Sequence, residues 1–184
     1  MRYTLVLFWL PLSLALHLPQ AFDKQIRSSK TPGNEFSADA IISLLDMQSS
    51  DEGGYFYETF RDPNVIPGTN RSISTAIYYL LQGCAGQSLW HQLDAAEVWH
   101  YYAGAPLVLS VSYNNGSCGR DYIMGADLFE GQRPQAIVAR DEWQSARSLG
   151  EWTLVGTTVA PGFDPSTEII KPKGWKPKAC KPTR

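Results

Sequence analysis

Residues 88–104 read Ser-Leu-Trp-His-Gln-Leu-Asp-Ala-Ala-Glu-Val-Trp-His-Tyr-Tyr-Ala-Gly and form the densest group of titratable and aromatic side chains in the sequence. The stretch contains two of the three histidines, His91 and His100, and the third, His17, lies in an apolar N-terminal segment. A β-strand turns successive side chains to opposite faces, so Glu97 and His100 are expected to point in opposite directions. These two residues therefore share a site only if the strand bends between them.

Short β-prone segments flank this stretch on both sides, and Gly, Pro, Asn and Asp separate them. Many strands at such spacing, with no helical periodicity between them, predict an antiparallel sandwich or a closed barrel. One short helix precedes them, because Ser37 caps a run in which apolar residues recur at helical spacing. The predicted strands cover residues 55–61, 74–81, 89–92, 98–102, 107–113, 122–124, 136–139 and 152–159.

The composition is that of an ordinary single globular domain, with 43% hydrophobic and 18% charged residues in a chain of 184. The net charge of −2, with no basic cluster beside an aromatic-rich stretch, argues against nucleic acid as a partner. Residues 165–184 differ from the rest, since lysines alternate with prolines there. This basic, Pro-rich tail is predicted to be a solvated extension.

Residues 1–21 have the three parts of a secretory signal peptide, namely Arg2, a long apolar run and small residues near a cleavage point. The apolar run is about 15 residues long, whereas a membrane-spanning helix needs about 20. We therefore expect cleavage and no stable membrane anchor. The protein is expected to be secreted or to stay in the secretory pathway, with the vacuole among its destinations. Residues 22–36 are polar and predict a leader without regular structure.

The sequence contains asparagine sequons and cysteines, which suit the oxidising lumen of the secretory pathway, where glycosylation takes place. Asn70 and Asn115 each begin an Asn-x-Ser sequon and are candidate glycosylation sites. Three cysteines, Cys84, Cys118 and Cys180, allow one disulfide bond. Cys84 and Cys118 both lie in or after turn-like segments with Gly, so we expect these two to pair. The alternative is that all three thiols are free.

A series of motifs, taken in chain order, resembles the DUF985 group of the cupin superfamily. They span residues 52–61, 71–81, 88–106, 134–138 and 159–164. Members of this group are small jelly-roll proteins, usually dimers, and are similar to cupins that epimerise deoxysugars. The resemblance implies an all-β fold, the cupin double-stranded β-helix, in residues 37–164. It also implies that the protein is a homodimer and that each barrel binds a small-molecule ligand. The activity that the resemblance implies is that of a sugar epimerase.

The resemblance also places the usual cupin metal ligands on this sequence. His91 and Glu97 match the first cupin motif, whereas its second histidine falls on Leu93 and the histidine of the second motif falls on Gln144. Two of the four usual ligands are thus missing, which implies that no cofactor is required. If a divalent ion such as Fe, Mn, Zn or Ni binds, the expected ligands are His91, Glu97 and His100.

Six further positions resemble pocket residues of the group and are candidates for substrate binding. Arginine can hold a carboxylate or phosphate, aromatic rings can stack on a ring-shaped ligand, and amides can form hydrogen bonds to it. A salt bridge to Glu58 or Glu97 is the alternative for each arginine, and the core is the alternative for the aromatic residues. The candidates are Arg61, Arg71, Tyr78, Trp99, Gln135 and Gln144.

The leading hypothesis is an isomerase or epimerase that acts on a sugar-like or polyoxygenated metabolite. His91 or His100 would abstract a proton next to a carbonyl, Glu97 would orient a histidine, and Tyr102 or the other imidazole would return the proton. One arginine would stabilise the developing negative charge. A metal-dependent oxygenase or lyase and a non-catalytic binding protein are the two alternatives.

Overall fold

The computed structural model describes residues 35–178 and Cys180. The predicted signal peptide, residues 1–21, and residues 22–34 of the predicted leader lie outside this range. Within it, no helix is long and apolar enough to cross a membrane. The described residues fold into one short helix followed by eleven strands, which confirms the all-β class.

The strands form two antiparallel sheets that face each other across a core. One sheet has the order β1-β2-β3-β10-β5-β8, and the other has the order β11-β4-β9-β6-β7. A 3₁₀ turn, Gly83–Ala85, lies between β3 and β4. The elements are α1 (Ala38–Leu44), β1 (Gln48–Ser49), β2 (Tyr55–Arg61), β3 (Thr75–Gln82), β4 (His91–Gln92), β5 (Ala96–Gly104), β6 (Leu107–Ser112), β7 (Arg120–Met124), β8 (Gln135–Val138), β9 (Trp143–Ser148), β10 (Trp152–Ala160) and β11 (Ile169–Ile170).

Helix α1 begins where the sequence predicts it. The hydroxyl oxygen of Ser37 accepts a hydrogen bond from the backbone N–H of Ala40 and so satisfies one of the free donors of the first turn. The apolar side of the helix packs against Leu80 and Trp152 on the outer face of the six-stranded sheet. The helix therefore covers part of that face and takes no part in the space between the sheets.

Strand β5 shows the predicted alternation of side chains. Glu97 and Trp99 are buried between the sheets, whereas His100 is half-buried and Tyr102 exposed on the opposite face. Trp99 lies edge-on to the ring of Tyr79, with ring centres 5.8 Å apart, inside the main core. The backbone of β5 thus assigns Glu97 and His100 to different sides of the sheet.

Strand β9 is not predicted from the sequence, although it lies in the middle of the five-stranded sheet between β4 and β6. Its residues are mostly polar, yet all but Arg147 are buried. Buried polar groups are tolerated when they are hydrogen-bonded, and here the Ser145 hydroxyl donates to the carbonyl oxygen of Ser88 at 2.6 Å. Contacts with residues distant in sequence therefore stabilise β9 as a strand, and the local sequence pattern does not reveal them.

The tail is not the solvated extension expected from its composition. Strand β11 pairs with β4, so the chain returns to the sheet after residue 164. Trp175 then packs against Trp90 and Trp143, with ring centres 6.2 and 4.8 Å away. The Lys171 ammonium lies 4.9 Å from the centre of the Trp143 ring, a favourable cation–π distance. Aromatic packing thus outweighs the polar, proline-rich composition of this segment.

The expected disulfide between Cys84 and Cys118 is wrong. Cys118 is bonded to Cys180, with Cα atoms 4.4 Å apart, and Cys84 is free and exposed in the 3₁₀ turn. The physical reason is the course of the tail, which returns to the sheet beside β4 and carries Cys180 to the loop before β7. Local turn composition gave no information about this long-range contact.

We expect Cys118→Ser to lower the free energy of unfolding by about 2–4 kcal/mol, because the native bond closes a long loop and so restricts the unfolded chain. The bond spans 62 positions of sequence. Urea unfolding without reductant measures the change. Cys84→Ser is the matched control and should stay close to the unaltered protein; equal losses in both variants would contradict the pairing.

Candidate functional site

A cavity of about 310 Å³ lies between the two sheets. This volume is at the lower end of the range for small-molecule sites. Its lining combines carboxylates, one histidine and apolar side chains from both sheets and from the tail. The lining residues are Ser50, Asp51, Glu52, Phe56, Glu58, Thr75, Ile77, His91, Leu93, Glu97, Thr157, Val159, Phe163, Pro165 and Glu168.

His91 is the cationic centre of the cavity. Its side chain is only 4% exposed, and its Nδ1 lies 2.6 Å from Oε2 of Glu52 and 3.1 Å from the carbonyl oxygen of Leu89. Burial, the largest single effect, lowers the pKa of His91, but the charges of Glu52 and Glu97 and the hydrogen bonds together raise it to about 9. The imidazole is therefore protonated at neutral pH.

Glu52 reaches His91 because a tight loop precedes β2. The Tyr79 hydroxyl donates to the carbonyl oxygen of Gly53 at 2.7 Å, and the backbone N–H of Leu89 donates to the carbonyl oxygen of Glu52 at 2.7 Å. Gly54 has a φ of +74°, and a Cβ there would lie 2.6 Å from the carbonyl oxygen of Leu80. Only glycine allows this approach, so the Gly-Gly turn sets the position of the carboxylate.

Glu168 enters the cavity from the tail. It immediately precedes β11, which pairs with the strand that carries His91, and the hydroxyl of the neighbouring Thr167 donates to Asp94 at 2.9 Å. Burial raises the pKa of Glu168, and repulsion from Glu52 adds to this; attraction to His91 offsets part of it, and the pKa is about 7. Glu168 is thus partly ionised at neutral pH.

Glu97 lies deeper and is almost fully buried. Its Oε2 accepts hydrogen bonds from Nε2 of Gln144 at 2.5 Å and from Nε1 of Trp99 at 3.2 Å. Burial raises the pKa of Glu97, and attraction to His91 together with hydrogen bonds from Thr157 and Gln144 offsets part of the effect. Gln144 and Trp99 therefore hold this carboxylate and do not themselves line the cavity.

His100, Tyr102, Tyr78 and Gln135 do not reach this site, which corrects their expected roles in catalysis and substrate binding. The rings of His100 and Tyr102 stack with centres 6.5 Å apart, and Tyr78 lies edge-on to Tyr102 at 6.0 Å, on the outer face of the six-stranded sheet. Gln135 is the register partner of His100 and shares that face. No bulge interrupts β5 between Glu97 and His100, so the expected metal ligand set of His91, Glu97 and His100 does not form.

Arg61 and Arg71 form structural ion pairs. Arg61 binds Glu58 through two hydrogen bonds of 2.9 and 2.7 Å, as the salt-bridge alternative anticipates. Arg71 binds Asp94 at 2.6 and 2.7 Å and also donates to the carbonyl oxygen of Gly162 at 2.7 Å. Both arginines lie beside a separate, more open pocket, and neither lines the cavity of His91.

Sequence reasoning missed Glu52 and Glu168. Glu52 directly precedes Gly53-Gly54, and an acidic residue beside such a Gly-Gly turn is the signal that could have found it. Glu168 lies in the segment predicted to be a solvated tail, so no pattern around it indicated burial. Both become recognisable only when the loop and the tail meet β4.

Glu52, His91 and Glu168 form a group that fits a divalent cation. One donor atom from each lies within 4.8 Å of the others. One imidazole and two carboxylates suit Mn, Fe or Zn. Oε2 of Glu52 is buried and lies 2.6 Å from Nδ1 of His91, its ion-pair partner.

We expect Glu52→Gln to lower the pKa of His91 from about 9 toward its ordinary value of 6.5, because the substitution removes the nearest negative charge. NMR titration of the His91 ring nitrogens measures the shift. Since the raised pKa stabilises the fold fully below pH 6.5 and this contribution is lost as the pH rises through about 9, the variant should also lose less stability across that interval. An unchanged titration curve would show that Glu52 does not hold the charge.

Solved structures with similar folds come from proteins of several organisms. A hypothetical protein from Leishmania major is 26% identical, with a TM-score of 0.67 over 73% of this chain and 86% of that one. A protein from Shewanella oneidensis is 28% identical, with a TM-score of 0.69 over 74% and 85%. The capsular polysaccharide assembling protein CapF from Staphylococcus aureus shares the fold alone, at 15% identity and a TM-score of 0.50 over 67% and 30%.

No protein of curated function matches the chain. The family model described as the cupin superfamily (DUF985) matches residues 39–168. This range contains β1 to β10 and all three members of the Glu52–His91–Glu168 group. The paired antiparallel sheets and the cavity between them agree with that match. The chain therefore belongs to the DUF985 family of the cupin superfamily.

Proposed function

We propose that the protein is an isomerase or epimerase that moves a proton within a small, polyoxygenated substrate bound beside His91. One observation carries the proposal: His91 and Glu168 face the same cavity, and their pKa values are raised to about 9 and about 7. At neutral pH His91 is protonated and can donate a proton, and the ionised fraction of Glu168, about half, can accept one. Such a separation is typical of acid/base catalysts.

In the proposed mechanism Glu168 removes the proton from a carbon next to a carbonyl group. The electron pair of the broken C–H bond moves toward the carbonyl oxygen, and the imidazolium of His91 stabilises the negative charge that develops there. Delivery of the proton to the former carbonyl carbon, together with transfer of the hydroxyl proton of the first carbon to the former carbonyl oxygen, gives an isomer. Protonation of the first carbon on its opposite face gives an epimer. No electrons enter or leave the substrate, so no oxidant is needed.

The surroundings of His91 suit this role. Glu52 and Glu97 act as positioning residues, because their charges keep the imidazole protonated. Phe56 and Phe163 add apolar surface to the cavity wall, which strengthens electrostatic interactions inside it. The volume of about 310 Å³ fits a substrate of monosaccharide size.

We expect the protein in D₂O to introduce deuterium at a single carbon of its substrate, with aldoses, ketoses and amino sugars as the first panel followed by proton NMR. Glu168→Gln and His91→Asn should each slow this exchange by about 100-fold or more, because each removes one partner of the proton transfer. His100→Gln and Tyr102→Phe are the matched controls on the outer face and should retain the rate.

Two outcomes would contradict the proposal. If His100→Gln and Tyr102→Phe slowed the exchange as much as the cavity variants do, the reaction would not take place in the cavity of His91. Ligand binding without exchange in any substrate tested would favour a non-catalytic binding protein.

A metal-dependent lyase or oxygenase is the second candidate, and the mutual proximity of Glu52, His91 and Glu168 favours it. A divalent ion held by these side chains would act as a Lewis acid toward a substrate oxygen. The two candidates use the same three residues and differ in whether a cation occupies them.

We expect Mn²⁺ or Zn²⁺, if this candidate is correct, to bind one ion per chain in calorimetric titrations of the chelator-treated protein. Glu168→Gln should then weaken binding by about tenfold or more, because it removes a charged ligand. Glu151→Gln, at an exposed position outside the cavity, is the control and should bind as before. Native mass spectrometry that finds no bound ion after gentle purification would count against the metal reading.

Export is part of the proposal. The bond between Cys118 and Cys180 suits an oxidising compartment. Asn70 and Asn115, the residues of the two sequons, are exposed and accessible to a glycosyltransferase. These features support a secreted or secretory-pathway protein.

A further inference from the structure

We infer that Asp94 is a positioning residue, which fixes Glu168 in the cavity and also holds the cavity wall formed by residues 162–165. The inference rests on the proposed function, because it concerns how the base of that reaction is placed. Asp94 does not itself line the cavity, and its carboxylate acts through Thr167 on one side and Arg71 on the other. Three separate segments of the chain therefore meet at one carboxylate.

The first contact of Asp94 lies one residue before the base. The Thr167 hydroxyl lies 2.9 Å from Oδ1 of Asp94 and 3.0 Å from the carbonyl oxygen of Asp164, and its single proton favours the charged acceptor. Strand β11, only two residues long, begins directly after Glu168 and pairs with β4. Glu168 is thus held between the hydrogen bond to Asp94 and a very short pairing of strands.

The second contact of Asp94 reaches the cavity wall. Arg71 binds both carboxylate oxygens of Asp94, at 2.6 and 2.7 Å, and its Nε donates to the carbonyl oxygen of Gly162 at 2.7 Å. The planar guanidinium is therefore fixed between the carboxylate and the wall. The backbone N–H of Phe163 donates to Oγ1 of Thr75 at 2.8 Å and holds the next residue of the wall.

Residues 162–165 form the boundary between two spaces. Phe163 and Pro165 line both the cavity of His91 and the more open pocket beside Arg71. Displacement of this wall would join the two spaces and admit larger ligands and water to the cavity. The wall therefore limits the size of the ligand that the cavity accepts.

The expected role of Asp94 is distinct from general stabilisation. The side chains of Arg71 and Asp94 are 16% and 28% exposed, and ion pairs near the surface contribute little to the stability of the whole fold. Proton transfer, in contrast, requires the base to lie within hydrogen-bonding reach of the proton that it removes. Loss of the Asp94 contacts should therefore affect the placement of Glu168 more than the unfolding of the protein.

The first test measures amide hydrogen exchange of the full chain by mass spectrometry and needs no ligand. We expect Asp94→Ala to speed exchange in residues 162–170 by about tenfold or more, because this segment loses both attachments and opens locally. Thr167→Val, which removes only the hydroxyl, should act in the same direction, whereas Thr167→Ser retains it. Thr59→Val is the matched control, since it removes a hydroxyl that donates to Ala76 on β3 and should leave the segment unchanged.

The second test measures deuterium incorporation into the panel of sugars by the same variants. Thr167→Val should lower kcat by about tenfold or more and change KM by less than about threefold, because the base moves while the binding surface stays. Thr167→Ser should restore kcat, and Thr59→Val should leave it unchanged.

Three results would overturn the inference. One is unchanged amide exchange in residues 162–170 of Asp94→Ala and Thr167→Val. Another is faster exchange spread evenly over both sheets, which would reduce Asp94 to a general stabilising role. The third is an unchanged kcat in Thr167→Val. If the unaltered protein introduces no deuterium into any sugar, the isomerase proposal fails, while local amide exchange still decides whether Asp94 holds the segment.

Discussion

His91 is protonated although it is buried between two β-sheets, where desolvation disfavours a charge. The site depends on the interactions that keep this imidazole protonated. Burial alone would leave the imidazole neutral, but a carboxylate oxygen 2.6 Å away and a second carboxylate at Glu97 reverse the balance. Each partner needs its own support. The Gly-Gly turn fixes Glu52, and Gln144 and Trp99 hold Glu97. The surrounding fold can be understood as the set of constraints that bring these groups together.

The mutual dependence of the charges explains why Glu168 differs from an ordinary glutamate. The same carboxylates that keep His91 protonated repel a further negative charge, so the pKa of Glu168 moves up to about 7 while the imidazolium pulls it down. An acid and a base with separate pKa values thus arise from one cluster.

Much of the fold could be predicted from local sequence. The bounds of β2 agree with its β-prone run, and the alternation along β5 correctly separates Glu97 from His100. Strand β9 could not be found in this way, because its buried polar residues depend on partners such as Ser88 and Glu97 that are distant in sequence. Strand β11 was missed for the same reason, since its pairing with β4 is a long-range event.

The site was predictable only in part. His91, Glu97 and Gln144 were identified from the resemblance to cupins, and the structure brings them together. Glu52 and Glu168 come from a turn and from the tail, where composition indicates exposure. The errors at His100 and Tyr102 arise from proximity in sequence, because neighbours in a strand face opposite ways.

The late position of Glu168 has a consequence for the order in which the protein becomes functional. Synthesis proceeds from the N-terminus, so β1 to β10, and with them His91, emerge before the residue that completes the cavity. A nascent chain can therefore bury its sheets while its binding site is still open on one side. The cavity gains Glu168 only when β11 pairs with β4, after strands β1 to β10 have emerged.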